Sequence, residues 1–569
     1  MEQPGAGAQR SVRRGPSLSA GEHEYIQQRK EVSAQALHDL GLNCTTDEVP
    51  HVALLASGGG QRAAVGLIGS LTQMSRDGLL DPVLYLSGVS GSTWSMASLY
   101  EDPQWSRSLD SYRSSLLTPH SVDSEKILSW LQDKAETPEF SLSDTWGALT
   151  SAAIMKTWDN RTLSEEAARN ASNPYPVYGA VEQFCFNEGP TQGKWFELTP
   201  HEAGFSELEL FVETSALGSK FQGGALLEDT PEMDMIQVQG ILGSALANEK
   251  MEDHIPDWLN FPEYLDTAAH QYLRRYNIIM TFIRRFKSHV NNEEVLQHVD
   301  NLQSALQDKV NRDESEQLRS LQQRGPQFLK WTYELGTTVQ TWAYGLPEGP
   351  VKAQGSSLVD KIIPLVLRWE WGTVKNFLYK YDEVPVPSCL ASAELLHLMD
   401  GGLLVNTAYP SFLGPRRDID LIIAPEYSAG EMFETLTLAR AYAAEVGKPF
   451  PQLDDTVLEE EKLWPKDCYV FEGNDTAPTI VFMPLFNRRN CKDADEWAQR
   501  MEEFSTFQRS YSPEMIDRLL KIAQENMKNN KETVLREITK ALERRRNKTH
   551  SAQVQPDQPD QPDQPSHQV

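Results

Sequence analysis

Residues 52–63 read VALLASGGGQRA, and residues 85–94 read YLSGVSGSTW. Each run begins with a short apolar segment, which predicts a buried strand, and then passes into glycines, which predict a tight turn. A helix is predicted behind each turn. The resulting order of strand, helix, strand and helix over residues 51–100 is typical of a parallel α/β sheet.

The second run contains a candidate nucleophile, Ser90. It resembles the Gly-x-Ser-x-Gly pattern, except that Gly91 arrives one position early and is followed by Ser92. A nucleophilic serine must stand clear of the sheet at a sharp bend, with a helix beginning just behind it. Gly88 and Gly91 allow the backbone to crowd there, and the N–H groups and dipole of the following helix point toward the reaction centre.

The first run supplies what such a serine lacks. Gly58, Gly59 and Gly60 offer unobstructed backbone N–H groups that could stabilise a developing oxyanion. Either motif alone is common, but the two together, each after an apolar strand and about 30 residues apart, indicate a serine hydrolase. A nucleotide-binding interpretation is disfavoured because no lysine follows the glycines as in a phosphate-binding loop.

Composition narrows the class of protein. The chain has 569 residues, 40% of them hydrophobic, and a formal net charge of −28, which argues against a nucleic-acid binder. It has no apolar run long enough to span a membrane, and because residues 1–19 contain no apolar core we expect them not to be a signal peptide. The five cysteines are scattered without metal-ligand spacing, so we expect reduced thiols, no metal and no cofactor.

The chain divides into three predicted parts. Residues 1–19 are rich in glycine, serine and arginine and are expected to be disordered, as is the Asp-Gln-Pro repeat in residues 548–569. Residues 20–547 form one α/β catalytic domain. Within it, the charged helical stretch 250–350 looks inserted, and is either a lid that faces lipid or a plain surface insertion.

Asp400 is the candidate base. It ends the apolar run Leu395–Asp400 and precedes Gly401 and Gly402, and the carboxyl ends of strands are where α/β sheets place active sites. It lies 310 residues after Ser90, so only the fold can bring the two together. None of the histidines lies in a sequence motif that indicates a catalytic base, and His397, within a predicted strand, is expected to be structural.

These residues resemble those of the cytosolic (group IV) phospholipase A2 family and, more distantly, of patatin-like lipases. The resemblance extends over residues 40–540 and implies a central, mostly parallel sheet flanked by helices. The motifs that carry it are Ser57–Ala63, Gly88–Trp94, Pro174–Pro176, Trp195–Pro200, Gly218–Phe221, Trp369–Gly372, Asp400–Leu403 and Pro484–Asn487.

The resemblance implies roles for six residues. Ser90 would be the nucleophile and Asp400 its base, a dyad without histidine. Gly59 and Gly60 would form the oxyanion loop. Two arginines, Arg62 and Arg417, would bind the substrate phosphate. Arg62 is expected to lie closer to that phosphate than to Asp400.

The resemblance also implies an activity. Only about 40 residues precede the core, with no acidic calcium loop among them, so the chain resembles the gamma-like, calcium-independent type. Such an enzyme would release fatty acid from glycerophospholipids in the cytoplasm, in peripheral contact with a membrane through the cap and Arg544–Arg546. The alternatives are a lysophospholipase or transacylase with the same dyad, or a non-catalytic membrane-lipid-binding scaffold.

Overall fold

The structure, a computed structural model, describes residues 11–117, 122–248, 275–276, 279–280, 283, 293–316, 325–506 and 511–554. Fourteen strands lie within these residues. They are β1 Arg13–Arg14, β2 Val52–Ala56, β3 Tyr85–Gly88, β4 Tyr175–Glu182, β5 Trp195–Leu198, β6 Glu202–Phe205, β7 Leu210–Glu213, β8 Lys220–Gln222, β9 Ala225–Glu228, β10 Thr373–Lys375, β11 Leu395–Asp400, β12 Leu421–Glu426, β13 Tyr469–Phe471 and β14 Thr479–Pro484.

The centre of the main sheet is parallel. Strands β4, β3, β2, β12 and β14 lie side by side in this order, and each pairs in parallel with the next. Every residue of β2 is buried, as expected for a strand with helices on both faces. The strands predicted from the two glycine-containing runs are therefore confirmed.

The flanks of the sheet are antiparallel. Strands β5, β6, β7 and β1 continue outward from β4, β13 follows β14, and β11 pairs with both β4 and β10. The 12-stranded sheet is therefore mixed, and the expectation of mostly parallel pairing holds only for its centre. Strands β8 and β9 form a separate hairpin.

Helices cover the sheet. They are α1 Ala20–Asp39, α2 Gly60–Arg76, α3 Gly91–Leu99, α4 Trp105–Leu117, α5 Ser124–Ala135, α6 Leu142–Thr150, α7 Gln183–Glu188, α8 Met235–Leu242, α9 Glu293–Glu316, α10 Gly325–Tyr344, α11 Pro350–Arg368, α12 Ser388–Ala391, α13 Glu434–Val446, α14 Asp455–Glu461, α15 Ala494–Glu503, α16 Pro513–Asn529 and α17 Lys531–Val554. Helices α2 and α3 follow β2 and β3 directly, as predicted, and α16 packs against α2. No helix among the described residues is both long enough and apolar enough to cross a membrane.

The two ends of the chain are more ordered than their composition suggested. Residues 11–19 were expected to be disordered, but Arg13 pairs with Phe211 of β7, and Ser19 caps α1 by accepting the N–H of Glu22. Helix α17 runs past residue 547 to Val554. Local composition could not reveal the pairing of Arg13, because Phe211 lies almost 200 residues further along the chain. Residues 1–10 and 555–569 lie outside the described residues.

The predicted cap is mostly helical where the structure describes it. The apolar stripe of α9 is at most 4% exposed, which confirms the helical spacing of Val295, Val299, Leu302, Leu306 and Val310. Helix α10 packs on α9 and α11, and α11 contacts α5 and α6. Residues 250–274 and 284–292 lie outside the described residues, so the role as a lid stays a prediction.

The arginines of α17 bind the protein itself. Arg545 pairs with Asp418 at 2.5 Å and with Asp420 at 2.8 Å, and Arg544 donates to the Asp420 carbonyl. Arg546 donates to the carbonyl of Asn43. These contacts dock α17 on the sheet, so Arg544–Arg546 are not the free basic cluster that we expected to meet a membrane.

The cysteine prediction is wrong for one pair. Cys185 of α7 and Cys389 of α12 form a disulfide. They are 204 residues apart in sequence, so spacing gave no sign of the pairing. Cys44, Cys468 and Cys491 are free thiols, as expected.

Candidate active site

Ser90 lies at a strained turn between β3 and α3. Its φ of 55° and ψ of −128° place a non-glycine residue in a region that side chains rarely adopt. A Cβ atom added at Gly91 would lie 1.9 Å from the carbonyl oxygen of Gly60, so only glycine fits there. The turn leaves Ser90 partly exposed above buried neighbours.

Ser92 explains the departure from the Gly-x-Ser-x-Gly pattern. Its hydroxyl accepts the Val89 N–H at 2.9 Å and lies 2.8 Å from the Val89 carbonyl oxygen and 3.2 Å from that of Ala56. The side chain thereby ties the turn to the end of β2. A serine at this position stabilises the bend that presents Ser90.

The glycine loop lies directly against this turn. A Cβ atom added at Gly58 would lie 2.7 Å from the Cβ of Ser90. Gly59 and Gly60 have φ values of 153° and 57°, which favour glycine, and α2 begins at Gly60. The first N–H groups of a helix have no partner within it. Neither the Gly59 nor the Gly60 N–H donates to another group among the described residues, and their role as an oxyanion loop stays a prediction.

Strand pairing brings Asp400 to the same place. Strand β4 aligns Tyr178 with Gly88 of β3, and two residues further on it aligns Ala180 with Asp400 of β11. The fold thus places Ser90 and Asp400 at one edge of the sheet, although they are distant in sequence.

The Asp400 carboxyl is buried and able to exchange a proton near neutral pH. It is 1% exposed, and its Oδ1 accepts the Gly402 N–H at 2.8 Å. Its Oδ2 has no partner of good hydrogen-bond geometry among the described residues. Burial raises the pKa of Asp400 to about 7, although the nearby Ser90 hydroxyl and the Gly402 N–H lower it. The group can therefore accept a proton from a neighbouring hydroxyl.

Arg62 lies behind the glycine loop. It is 1% exposed and donates to the carbonyls of Tyr427 and Phe504 and to the Thr506 hydroxyl. It is not paired with Asp400 among the described residues, and its predicted role in binding a phosphate stays a prediction. Its guanidinium is enclosed by these partners, however, so the predicted contact with a phosphate is not open in this structure.

Arg417 is built into the scaffold. Its side chain is fully buried and binds the carboxylates of Glu22 and Glu197 as well as the Ser411 carbonyl. Burial opposes its charge, but Glu197 and Glu22 raise the pKa of Arg417 well above its ordinary value. The predicted phosphate-binding role is therefore corrected to a structural one, because two buried acids occupy the guanidinium.

Sequence reasoning missed three polar residues near the glycine loop. Asn406 donates to the Gly58 carbonyl at 3.3 Å and to the Ser428 hydroxyl at 2.7 Å, and Glu426 accepts the Ser428 N–H. Glu426 ends β12, so a polar residue at the carboxyl end of a buried strand could have drawn attention to it. Asn406 and Ser428 gave no comparable signal. No cluster of metal-ligating side chains occurs among the residues that the structure describes.

Comparison with known families agrees with this geometry. Residues 52–274, which include the glycine loop and Ser90, match the lysophospholipase catalytic domain family. The segment with Asp400 lies beyond that match. The family relation of the rest of the chain rests on longer alignments.

Two such alignments cover nearly the whole chain. It is 30% identical to cytosolic phospholipase A2 gamma of Mus musculus over 553 residues, which covers 92% of this chain and 91% of that protein. It is also 30% identical to the Homo sapiens protein of the same name over 534 residues, with 92% and 95% covered.

A solved structure shows the same fold. Human GIVD cytosolic phospholipase A2 superposes with a TM-score of 0.64 and 24% identity, covering 95% of this chain and 69% of that one. Nearly the whole chain is thus related in sequence to the two gamma proteins and in fold to the solved structure, and the chain belongs to the cytosolic phospholipase A2 family of phospholipid hydrolases.

Proposed function

We propose that this protein is a calcium-independent phospholipase A2-type serine hydrolase that releases fatty acid from membrane glycerophospholipids. The observation that carries the proposal is the meeting of Ser90, Asp400 and the Gly59–Gly60 N–H groups at one sheet edge. A nucleophile, a base and an oxyanion site are the three parts that acyl transfer requires. Family membership supplies the substrate class.

In the first step, Ser90 attacks the ester carbonyl while Asp400 accepts the hydroxyl proton. The carbonyl oxygen becomes an oxyanion, which the Gly59 and Gly60 N–H groups stabilise at the start of α2. The bond to the glycerol oxygen then breaks, and that oxygen takes the proton from Asp400. The products are a lysophospholipid and an acyl ester on Ser90.

In the second step, water hydrolyses the acyl ester. A water molecule attacks the carbonyl carbon of the acyl ester while Asp400 accepts a proton from that water, and the Gly59–Gly60 loop stabilises the second oxyanion. Ser90 leaves and recovers its proton from Asp400, so the fatty acid is released and the enzyme is regenerated. No step of this mechanism assigns a role to calcium, and adding calcium in the test below examines the calcium-independent part of the proposal.

A base of this kind needs a pKa near the working pH. An aspartate in water, with a pKa of about 3.9, would hold a proton too weakly to take one from serine. Burial of Asp400 raises its pKa to about 7, and neutral partners leave that shift largely in place. The geometry therefore favours Asp400 as the base without a histidine.

A lysophospholipase or transacylase activity is the second candidate. It is favoured by the family match of residues 52–274, which bears the lysophospholipase name. The chemistry at Ser90 is the same, and only the acyl position or the acceptor of the acyl group differs. Substrate comparison separates these activities.

Peripheral membrane contact in the cytoplasm is also part of the proposal. The relatives carry the word cytosolic in their names. Helix α10 of the cap presents Tyr333 and Tyr344, which are 69% and 56% exposed, and tyrosine suits a membrane–water interface. We expect these residues, rather than Arg544–Arg546, to contribute to contact with lipid.

The test is fatty-acid release in EGTA from phosphatidylcholine vesicles and from mixed phosphatidylcholine–lysophosphatidylcholine vesicles, with the released fatty acid assigned to its source lipid. We expect release by the wild type, loss of it in Ser90→Ala and Asp400→Ala, and no change on adding calcium. The preferred vesicle identifies the substrate. Ser98→Ala is the matched control, since Ser98 lies at the other end of α3 and bonds Thr157.

Two outcomes would contradict the proposal. Release that survives Ser90→Ala would exclude Ser90 as nucleophile. Binding of the wild type to vesicles without any release, in a folded protein, would favour the lipid-binding scaffold. A strict need for calcium would remove only the calcium-independent part.

A further inference from the structure

One side chain outside the predicted set, Asn406, lies beside both members of the Ser90–Asp400 pair. A Cβ atom added at Gly58 would lie 2.2 Å from Asn406 Oδ1 and 2.7 Å from the Ser90 Cβ. A Cβ atom added at Gly402 would lie 2.5 Å from the same Oδ1 and 3.0 Å from Asp400 Oδ1. The amide oxygen of Asn406 therefore borders the nucleophile on one side and the base on the other.

Asn406 also holds the glycine loop from two sides. Its backbone carbonyl accepts the Gly58 N–H at 3.0 Å, and its Nδ2 donates to the Gly58 carbonyl at 3.3 Å. Both polar backbone groups of Gly58 are thus bound by one residue. Gly58 is followed directly by Gly59 and Gly60, so its position sets where their N–H groups point.

The orientation of the Asn406 amide is fixed from behind. Its Nδ2 donates to the Ser428 hydroxyl at 2.7 Å, and Glu426 accepts the Ser428 N–H at 2.7 Å. The Ser428 hydroxyl is also a hydrogen-bond partner of the Glu426 carboxyl. When the Ser428 hydroxyl donates its proton to the Glu426 carboxylate, its oxygen can accept only from the Asn406 NH2 group. The NH2 group therefore faces Ser428, and Oδ1 of Asn406 faces the site.

Glu426 anchors the loop at a second point. It is 2% exposed at the end of β12, beside β2, and the Ser57 hydroxyl is another of its hydrogen-bond partners. Ser57 in turn accepts the Tyr427 N–H at 2.6 Å. The two residues that open the glycine loop, Ser57 and Gly58, are therefore both tied to the end of β12.

We propose that Asn406 is a positioning residue, which, anchored by Ser428 and Glu426, holds the Gly59–Gly60 N–H groups in register with Ser90 and Asp400. The inference rests on the proposed function, since it concerns the same reaction. Oxyanion donors act only when they are held close to where charge develops. Asn406 does so by acting on the loop, without itself touching the reacting carbonyl.

The first test separates kcat from KM. In Asn406→Ala, hydrolysis of p-nitrophenyl butyrate and of phosphatidylcholine vesicles should lose about 10- to 100-fold in kcat, since misaligned donors weaken the transition state. KM should change less than about threefold, because substrate contacts remain. Ser428→Ala should lose less, and the double variant should resemble Asn406→Ala alone because both act through one contact.

The second test uses the pH profile. Asn406→Asp keeps the shape of the side chain but places a second carboxylate beside Asp400, which should raise the pKa of the base. The midpoint of the rise in kcat with pH should therefore shift upward by about one pH unit. This shift tests whether the Asn406 side chain lies beside Asp400 in solution, whereas the loss of kcat in Asn406→Ala tests the positioning role.

Asn173→Ala is the matched control. Asn173 is 3% exposed, donates to the Pro103 carbonyl at 2.8 Å and accepts the Ser106 N–H, but it precedes β4 at the sheet edge opposite Ser90. It should lower the melting temperature and leave kcat per folded molecule unchanged.

Two results overturn the inference in distinguishable ways. Wild-type kcat and pH midpoint in the Asn406 variants, with hydrolysis still abolished by Ser90→Ala, would refute the positioning role and leave the proposed function standing. Hydrolysis by the wild type that does not depend on Ser90 would refute both.

Discussion

Asp400 and Glu197 are two carboxyl groups that the fold buries equally and treats in opposite ways. Asp400, at the end of β11, has only neutral partners, the Ser90 hydroxyl and the Gly402 N–H, and burial raises its pKa to about 7. Burial would also raise the pKa of Glu197 in β5, but Arg416 and Arg417 together hold it well below its usual range. Burial alone therefore does not decide the charge of a carboxyl group.

The charge of the partners therefore separates a carboxyl group that can exchange a proton from one that serves only to stabilise the structure. A carboxyl with neutral partners changes its charge near neutral pH, which general-base catalysis needs. A carboxylate fixed between guanidinium groups stays ionised and stabilises the packing around it. Arg417, which we had expected at the substrate phosphate, belongs to the second kind of site.

The largest expected effect comes from removing the exchangeable carboxyl. Asp400→Asn keeps the size of the side chain but cannot accept the Ser90 proton. We expect kcat for phosphatidylcholine to fall by about 10³- to 10⁴-fold, within the range for a lost general base. A fall of less than tenfold, measured on protein shown to be folded by circular dichroism, would assign the base elsewhere.

The next largest effect concerns the buried ion pairs of Arg417 with Glu22 and Glu197. Arg417→Met leaves Glu22 and Glu197 buried with fewer cations, and breaking a buried ion pair costs about 3–5 kcal/mol. Urea unfolding should show a loss of this size. Arg76→Met is the control, because the Arg76–Asp110 pair is exposed, and such pairs contribute about 0–1 kcal/mol. Equal losses in the two variants would contradict the contrast.

The smallest effect is a change in stability with pH. Because the pKa of Asp400 is raised from 3.8 to about 7, the folded protein keeps a proton there that the unfolded chain has released. Its contribution to stability is complete below about pH 4 and is lost as pH rises through about 7. Asp400→Asn should avoid this loss and be about 2–4 kcal/mol more stable than the wild type at pH 8.

The measurement is the melting temperature of both proteins from pH 5 to pH 8. The gap in favour of Asp400→Asn should widen with rising pH. A gap that stays constant would mean that Asp400 does not carry the raised pKa. Glu197 is insensitive in this range, because its lowered pKa confines its loss of stability to acid pH.

The contrast also explains what the sequence could reveal. Ser90 and the glycine loop each follow a buried apolar strand and Asp400 ends one, so a local signal pointed to all three. The surroundings of Arg62 and Arg417 depend on Phe504 and on Glu197, which are hundreds of residues away. No local pattern encodes such partners, and the same holds for the Cys185–Cys389 disulfide.

Strand β4 has a consequence for how this family can vary. It pairs with β3, which leads to Ser90, and with β11, which ends at Asp400, so one strand sets the spacing of the two residues. The long insertion at residues 250–350 does not determine this spacing. Doubling the length of a flexible loop costs only about 0.6 kcal/mol. A change in the length of a flexible loop within the insertion at residues 250–350 would therefore leave the distance between nucleophile and base in place.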